Sequence, residues 1–283
     1  MKIKLQSFLI GIVILLIAVG LVYLLNGVYQ NKELFRGIED SNLPAVQKAI
    51  DQGAFVNKRK SWLYVPEIVS TNPTPLITAC KIGNEEIVKV LIENGANINK
   101  KDNYTDNTPL LAALDDSKPN RFSLAMYLIE NGADIYAIQD GVNSPFYQSL
   151  YISSTDNDET MCESVSLLDY LLNNNVDQTI YMSGENPLTF SAHYRNTMAV
   201  QYLVENNYYG IDSYDYDGNT ALIVATKNQD RKMVELLLDL GAAKHLKDVN
   251  GKTALDYAIE NYCEEIIGLL KTAGGTLSSK KTE

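Results

Sequence analysis

The stretch that decides the fold is TPLITACKIGNEEIVKVLIENGANIN, residues 74–99. Thr74 is a strong N-cap residue and Pro75 suits the first turn of a helix. Gly83 and Gly95 suit the left-handed positions that end helices. The stretch therefore predicts two short helices, whose apolar residues at helical spacing are Leu76, Ala79, Ile87, Val88, Val90, Leu91 and Ile92. Neither helix buries its apolar face alone, so the pattern requires stacked neighbours.

Further copies of this pattern run along the chain, with successive starts 33–42 residues apart. Together with the segment above, a half-match at 34–58 brings the number of predicted units to about seven. Two units end on Asn175 and Asn207 where the others have glycine, and asparagine tolerates the left-handed region. The clear copies begin at Thr108, Thr220 and Thr253, and the weaker copies begin at Ser144 and Asn186.

One copy carries an insertion, SSTDNDETMC at 153–162, between its two helices. The segment is polar and acidic, so we expect a solvated loop. Long loops between repeat helices also carry function, and this alternative stays open.

These residues resemble the ankyrin repeat in three features: the Thr-Pro-Leu opening, the glycine between the helices, and the Asn-Gly-Ala-Asp/Asn close. The resemblance covers about residues 33–275. It implies an all-α repeat solenoid of helix pairs with projecting β-hairpin fingers. It also implies that the fingers and the inner helices bind another protein, and that the chain is not an enzyme.

The N-terminus stands apart from the repeats. Residues 8–25 form a run of 18 residues without charge, and as a helix this run would be about 27 Å long, close to the thickness of a bilayer core. A cleaved signal peptide is the alternative, but its apolar part is usually shorter and ends at a small-x-small site. We predict a transmembrane signal anchor at 8–25, between a tail at 1–7 and a juxtamembrane linker at 26–32, and a C-terminal tail at 276–283.

Charges flanking the anchor give a prediction of topology. Lys2 and Lys4 precede the apolar run, whereas Lys32 and Arg36 follow it among acidic residues. The positive-inside rule then favours a cytoplasmic N-terminus. We expect the repeat domain outside the cytoplasm, in the periplasm if the cell is Gram-negative.

Overall composition limits the classes of function. The net charge is −11 and the sequence pI is about 4.7, which argues against nucleic-acid binding. Such acidity ordinarily serves solubility, and it also suits a basic partner. Cys80, Cys162 and Cys263 are far apart and show no Cys-x-x-Cys spacing, so we expect neither a disulfide framework nor a zinc site.

The letters DYDG at 215–218 resemble part of a calcium loop. An EF-hand aligned on Gly218 would need an acidic first ligand and a glutamate at position 12, but the chain has Ser213 and Val224 there. We therefore interpret the letters as a scaffold turn formed by Asp215 and Gly218. The segment KDVNGKTAL at 247–255 repeats the same design.

Helix caps and core residues follow these turns. Thr220 is predicted to cap the next helix and Leu222 to enter the core, with Thr253 and Leu255 in the matching places. The chain has only two histidines, and no nucleophile elbow, Walker loop or dinucleotide fingerprint occurs. We predict no catalytic residues, no cofactor and no metal.

Fingers and inner helices of the assigned register carry many tyrosines, and the chain has 18 tyrosines against one tryptophan and six phenylalanines. Tyrosine and tryptophan are common anchors of protein interfaces, although some of these tyrosines would serve only to pack neighbouring fingers. The predicted partner-binding residues are Trp62, Tyr104, Met182, His193, Tyr194, Tyr214, Tyr216, Lys227 and Val249.

The predicted function is that of a membrane-anchored monomer that binds a protein through its concave face and fingers. Such a protein would act as an immunity protein against a toxin or as the helper of a periplasmic enzyme. A scaffold that faces the cytoplasm and an enzyme with a site in the insertion or the fingers are the alternatives.

Overall fold

The structure is a computed structural model that describes residues 2–60, 73–103, 105–115, 118–139, 143–153, 156–178 and 184–272. Every regular element in these ranges is an α-helix, as the repeat pattern predicts. The helices follow in chain order as seven pairs. They are α1 (Lys2–Glu39), α2 (Leu43–Asp51), α3 (Pro75–Ile82), α4 (Glu85–Glu93), α5 (Pro109–Ala113), α6 (Arg121–Glu130), α7 (Pro145–Leu150), α8 (Asp158–Asn173), α9 (Pro187–His193), α10 (Thr197–Glu205), α11 (Ala221–Lys227), α12 (Arg231–Asp239), α13 (Ala254–Glu260) and α14 (Glu264–Thr272).

The chain divides into two compact units. The first, unit 1, comprises Met1–Ala113 with Tyr127–Asp134, and the second, unit 2, comprises Leu114–Met126 with Ile135–Glu283. In unit 1 the helices α1, α3 and α5 pack side by side, and α2 packs on α1 and α4. In unit 2 the inner helices α7, α9, α11 and α13 form one layer, and the outer helices α8, α10, α12 and α14 form a second.

The segment at 74–99 forms the two short helices that its sequence predicts, α3 and α4. The Thr74 side chain accepts a hydrogen bond from the backbone nitrogen of Ile77, and Gly83 adopts the left-handed conformation with φ of 79°. Gly95 is also left-handed, and so are Asn175 and Asn207, which replace glycine in two other units. Most of the predicted inward residues are buried, whereas Val90 and Ile92 are half-buried. Local capping rules therefore fix the helix ends.

The N-terminal helix α1 contains a stretch, Ile12–Glu39, that is long and apolar enough to cross a membrane, with a mean hydropathy of 2.5 in its most apolar window. The large apolar side chains between Ile12 and Leu25 are exposed. The same helix continues without a break through 26–32 and ends at Glu39. Gln30 and Asn31, in the segment predicted to be a linker, are buried.

In the described part of the insertion, residues 157–159 and 162 are exposed, as its composition predicts, but the segment is not a loop throughout. Residues 158–162 form the first turns of α8, and Asn157 caps that helix by accepting from the backbone nitrogen of Thr160. The Asp156 carboxylate is buried, because Arg121 donates to both of its oxygens over 2.9 and 2.6 Å. A buried arginine 35 positions away in the chain thus holds one carboxylate of this acidic segment out of solvent.

Candidate functional site

The predicted partner-binding residues fall into two groups. Trp62, Tyr104 and Met182 lie outside the described residues. The structure places the other six in unit 2, on α9, on α11 and on the fingers that precede α11 and α13. They are His193, Tyr194, Tyr214, Tyr216, Lys227 and Val249.

The DYDG letters form a closed turn. The Asp215 carboxylate accepts hydrogen bonds from the backbone nitrogens of Asp217 and Asn219 over 3.0 and 2.7 Å. Gly218 has φ of 70°, a left-handed conformation that glycine adopts without strain. The next finger repeats this geometry with Asp248 and with Gly251, whose φ is 73°. The predicted turn assignment is confirmed, since both carboxylates accept hydrogen bonds from backbone nitrogens of their own turns.

The cap and core assignments around these turns also hold. Thr220 and Thr253 cap α11 and α13 through their side chains. Leu222 is buried, while Leu255 in the last helix pair is only half-buried. Among the residues that the structure describes, no three His, Cys, Asp or Glu side chains come together to hold a metal ion.

Backbone contacts join three successive fingers of unit 2. The nitrogen of Tyr216 donates to the carbonyl oxygen of Gly184 over 3.0 Å, and the nitrogen of Val249 donates to the carbonyl oxygen of Asp217 over 3.2 Å. A Cβ atom on Gly218 would lie 3.0 Å from the Val249 nitrogen, so the second and third fingers touch there. The fingers therefore form one connected surface.

Three large side chains stand exposed on this surface. Tyr214 is 49% exposed, Tyr216 75% and Val249 71%. We call these three residues the finger row. Because the backbone nitrogens of Tyr216 and Val249 donate to neighbouring fingers, the row offers exposed apolar and aromatic area on an ordered frame, which is the usual character of an interface anchor.

A recurring contact links the inner helices α9, α11 and α13 to the fingers that lead into them. The last residue of the helix meets the residue eight positions earlier, just before the N-cap. Nδ1 of His193 lies 2.7 Å from Oε1 of Glu185, and Nζ of Lys227 lies 2.5 Å from Oδ1 of Asn219. In the last helix pair Lys252 and Glu260 form the same contact at 2.7 Å with the charges reversed. Sequence reasoning missed Glu185, Asn219, Lys252 and Glu260, although the fixed spacing of eight was a visible signal.

Aromatic rings surround the first of these pairs. The His193 ring stacks on Tyr194 with centroids 4.8 Å apart, and Tyr194 in turn contacts Tyr151 at 4.6 Å. Burial raises the pKa of the Glu185 carboxyl, the hydrogen bond from His193 opposes that rise, and Asp215 and Asp217 add to it. Burial also raises the pKa of the Tyr194 hydroxyl, with Glu185 contributing.

Lys227 belongs to a network inside unit 2. Its Nζ atom lies 3.4 Å from Oδ2 of Asp248 and 4.3 Å from the centroid of the Tyr257 ring. The Tyr257 hydroxyl donates to the same Asp248 oxygen over 2.5 Å. Burial alone would raise the pKa of Asp248, but hydrogen bonds from Tyr257 and from the backbone of Lys252 hold it well below its usual value. The ammonium group predicted to bind a partner thus also holds two fingers together.

A cleft of about 600 Å³ opens beside His193 and Tyr194. Its wall includes Tyr151 from the end of α7 and residues from the start of α8. Asp156 lines it as well, but both of its oxygens already accept from Arg121, and one also accepts from the backbone nitrogen of Ser153. The carboxylate is therefore held as part of the scaffold.

Comparison with protein families supports the repeat assignment. The family model described as ankyrin repeats matches three times, at residues 34–139, 159–248 and 211–280. The human ASB11 ankyrin repeat domain superposes with a TM-score of 0.63 over 87% of this chain and 99% of that domain, at 24% identity. At that identity the likeness shows the fold alone.

Three named proteins are similar in sequence. The putative ankyrin repeat protein YahD of Escherichia coli K12 is 28% identical over 71% of this chain and 96% of its own length. The palmitoyltransferase AKR1 of Lachancea kluyveri is 30% identical over 63% of this chain, and the probable palmitoyltransferase AKR2 of Saccharomyces uvarum is 33% identical over 65%. The chain spans only 24% of the length of either yeast protein.

Proposed function

Because the chain belongs to the ankyrin repeat family, whose repeats mediate contact between proteins, we propose that it binds a partner protein through the finger row and the adjoining inner helices of unit 2. The observation that carries this proposal is the exposure of Tyr214, Tyr216 and Val249 on fingers joined backbone to backbone. Exposed aromatic groups on a rigid frame lose little conformational freedom on binding, so they make effective anchors.

The partner is proposed to be a basic protein. The chain carries a net charge of −11, and Asp217 lies exposed at the tip of the finger that presents Tyr216. Opposite charge on the partner would speed its capture and favour it over acidic competitors. His193, Tyr194 and Lys227 are proposed as flanking contacts, and Trp62, Tyr104 and Met182 stay proposed as further partner-binding residues.

Membrane anchoring is proposed for the apolar part of α1. The anchor is assigned to 8–25, the tail before it to 1–7, the repeat domain to 33–275 and the C-terminal tail to 276–283. The exposure of the apolar side chains between Ile12 and Leu25 supports it, and the whole uncharged run at 8–25 would be about 27 Å long, close to a bilayer core. With a cytoplasmic N-terminus, the repeats would lie in the periplasm of a Gram-negative cell or outside another cell.

Two versions of the function share this arrangement. The partner is either a toxin that the chain neutralises, as an immunity protein would, or a resident periplasmic enzyme that it assists. Affinity capture from detergent-solubilised membranes separates them: a toxin encoded beside this gene supports the first, and a housekeeping enzyme supports the second. A partner confined to the cytoplasm would instead support the cytoplasmic scaffold.

We propose no catalytic activity for the chain. The similarity to the two yeast palmitoyltransferases covers about a quarter of their length, so their activity does not carry over with it.

A phosphatase reporter that is active only in the periplasm, fused to the C-terminus, tests the topology. An inactive reporter in a stably expressed fusion would contradict the periplasmic assignment.

A further inference from the structure

The helix α1 changes its surroundings abruptly just after Leu25. Before this point its large apolar side chains are exposed, and after it Gly27, Gln30 and Asn31 are buried against the first repeat. The helix is continuous across the change, so Leu25 and Gly27 lie only about 3 Å apart along its axis. The apolar run therefore ends directly at the first repeat, without a flexible spacer.

Hydrogen bonds join the residues that follow α2 to the part of α1 just after Leu25. The Asn26 side chain donates to the carbonyl oxygen of Gln52 over 2.9 Å, and the backbone nitrogen of Phe55 donates to Oδ1 of Asn31 over 2.6 Å. The Phe55 ring lies against Gly27 so closely that a Cβ atom there would be 2.3 Å from Cε2. The first finger thus begins within two turns of the apolar run.

The exposed groups at this level suit the surface of a bilayer. Phe55 remains 44% exposed although it packs on α1, and Tyr23 and Tyr29 are exposed on α1 itself. Nζ of Lys58 lies 5.5 Å from the centre of the Phe55 ring. Tyrosine rings concentrate where lipid tails meet head groups, phenylalanine side chains of interfacial segments enter the same boundary, and lysine reaches from there to phosphate.

We propose that Phe55 and Lys58 form a second membrane contact, which seats the first repeat on the phospholipid head groups beside the anchor. This inference rests on the proposed membrane anchoring. It replaces the linker predicted at 26–32 by a rigid junction, because the hydrogen bonds of Asn26 and Asn31 fix the end of α2 and the first finger to the end of the spanning helix. The distance of the first repeat from the membrane is then set by the helix.

Tryptophan fluorescence of the full chain in phospholipid vesicles tests the proposal. Trp62 is the only tryptophan, so Trp62→Phe gives a silent background for single reporters. Phe55→Trp reports the proposed contact, and Gln52→Trp reports the same level from an exposed side chain that cannot disturb packing. Asp40→Trp is the matched control, since it lies about 22 Å further along the axis of α1 than Leu25.

Lipids that carry a quencher just below the head group should reduce the emission of Phe55→Trp and Gln52→Trp at least about twofold, and leave Asp40→Trp nearly unchanged. Equal, weak quenching at all three positions in a chain that floats with vesicles would overturn this inference while anchoring stands. A chain that does not float with vesicles would overturn the anchoring and this inference together.

Discussion

The side chains of Glu185 and His193 meet across the inner helix α9, with Oε1 of the carboxylate 2.7 Å from Nδ1 of the ring. The carboxylate belongs to the finger and the ring to the end of the helix. The next two helix pairs hold the same contact with Asn219 and Lys227, and then with Lys252 and Glu260. The finger positions in unit 2 are thus tied to the inner helices by side chains of changing chemistry.

The raised pKa of Glu185 predicts a dependence of stability on pH. A carboxyl whose folded pKa lies above the unfolded value of 4.5 holds its proton more tightly when folded. Stability therefore falls as pH rises from 4.5 through the folded pKa. Glu185→Gln should flatten this part of the profile in thermal unfolding followed by circular dichroism. Asp239→Asn, at an exposed site, should retain the wild-type profile.

Asp248 should make stability depend on pH in the opposite direction to Glu185. Its folded pKa is lowered below 3.8, so its stabilising effect is present above that pH and is lost as pH falls below it. Asp248→Ala should cost about 2–4 kcal/mol in the free energy of unfolding at neutral pH, because Tyr257 and Lys227 lose a buried partner. Asp217→Ala, at the exposed tip of a finger, should cost less than about 0.5 kcal/mol. Urea unfolding of the two variants at neutral pH measures both losses. Equal losses in the two variants would contradict the network.

Arg121 should be required for the ordered start of α8. Arg121→Ala leaves the Asp156 carboxylate buried without its ion pair, which costs about 3–5 kcal/mol. The double variant Arg121→Met/Asp156→Leu should recover much of the loss. Arg195→Ala removes an exposed guanidinium that lies 3.8 Å from Asp230 and should cost less than about 1 kcal/mol. Urea unfolding measures all three, and a harmless Arg121→Ala would refute the role of this pair.

Two glycines allow the contact between fingers to be measured. Gly251→Ala forces alanine to a φ of 73° in open space, which costs about 1–2 kcal/mol. Gly218→Ala adds a Cβ atom 3.0 Å from the backbone nitrogen of Val249, so it should cost about 1–2 kcal/mol more. Thermal unfolding gives the difference. Identical effects would mean that the fingers do not depend on this close approach.

The helix pairs, their caps and the finger turns were predictable from sequence because each rests on local rules. Thr74 caps a helix that begins at the next residue, and Gly83 and Gly218 adopt left-handed turn conformations. These roles follow from the residue type and its immediate neighbours. The regular repeat period then predicts that successive helix pairs stack on one another. The assignment to a family required only that these local signals recur in register.

The remaining features depend on contacts between distant parts of the chain. The burial of the Asp156 carboxylate could not be predicted, since nothing near it in sequence indicates that Arg121 will neutralise it. Lys227 was predicted to bind a partner, and nothing in the sequence indicated that its side chain contacts Asp248 and Tyr257 of the next repeat. Polar residues at 26–32 suggested a linker, but Asn26 and Asn31 use their amide groups to bind the end of α2 and the first finger.

The affinity of the captured partner for the finger row tests the central claim most directly. Tyr214→Ala/Tyr216→Ala should weaken binding at least about 30-fold in a titration, the loss expected on removing a main anchor. Tyr262→Ala, which removes an 89% exposed tyrosine outside the finger row, should bind as the wild type does. Unchanged affinity in the double variant, with both variants folded, would contradict the claim that unit 2 binds its partner through these fingers.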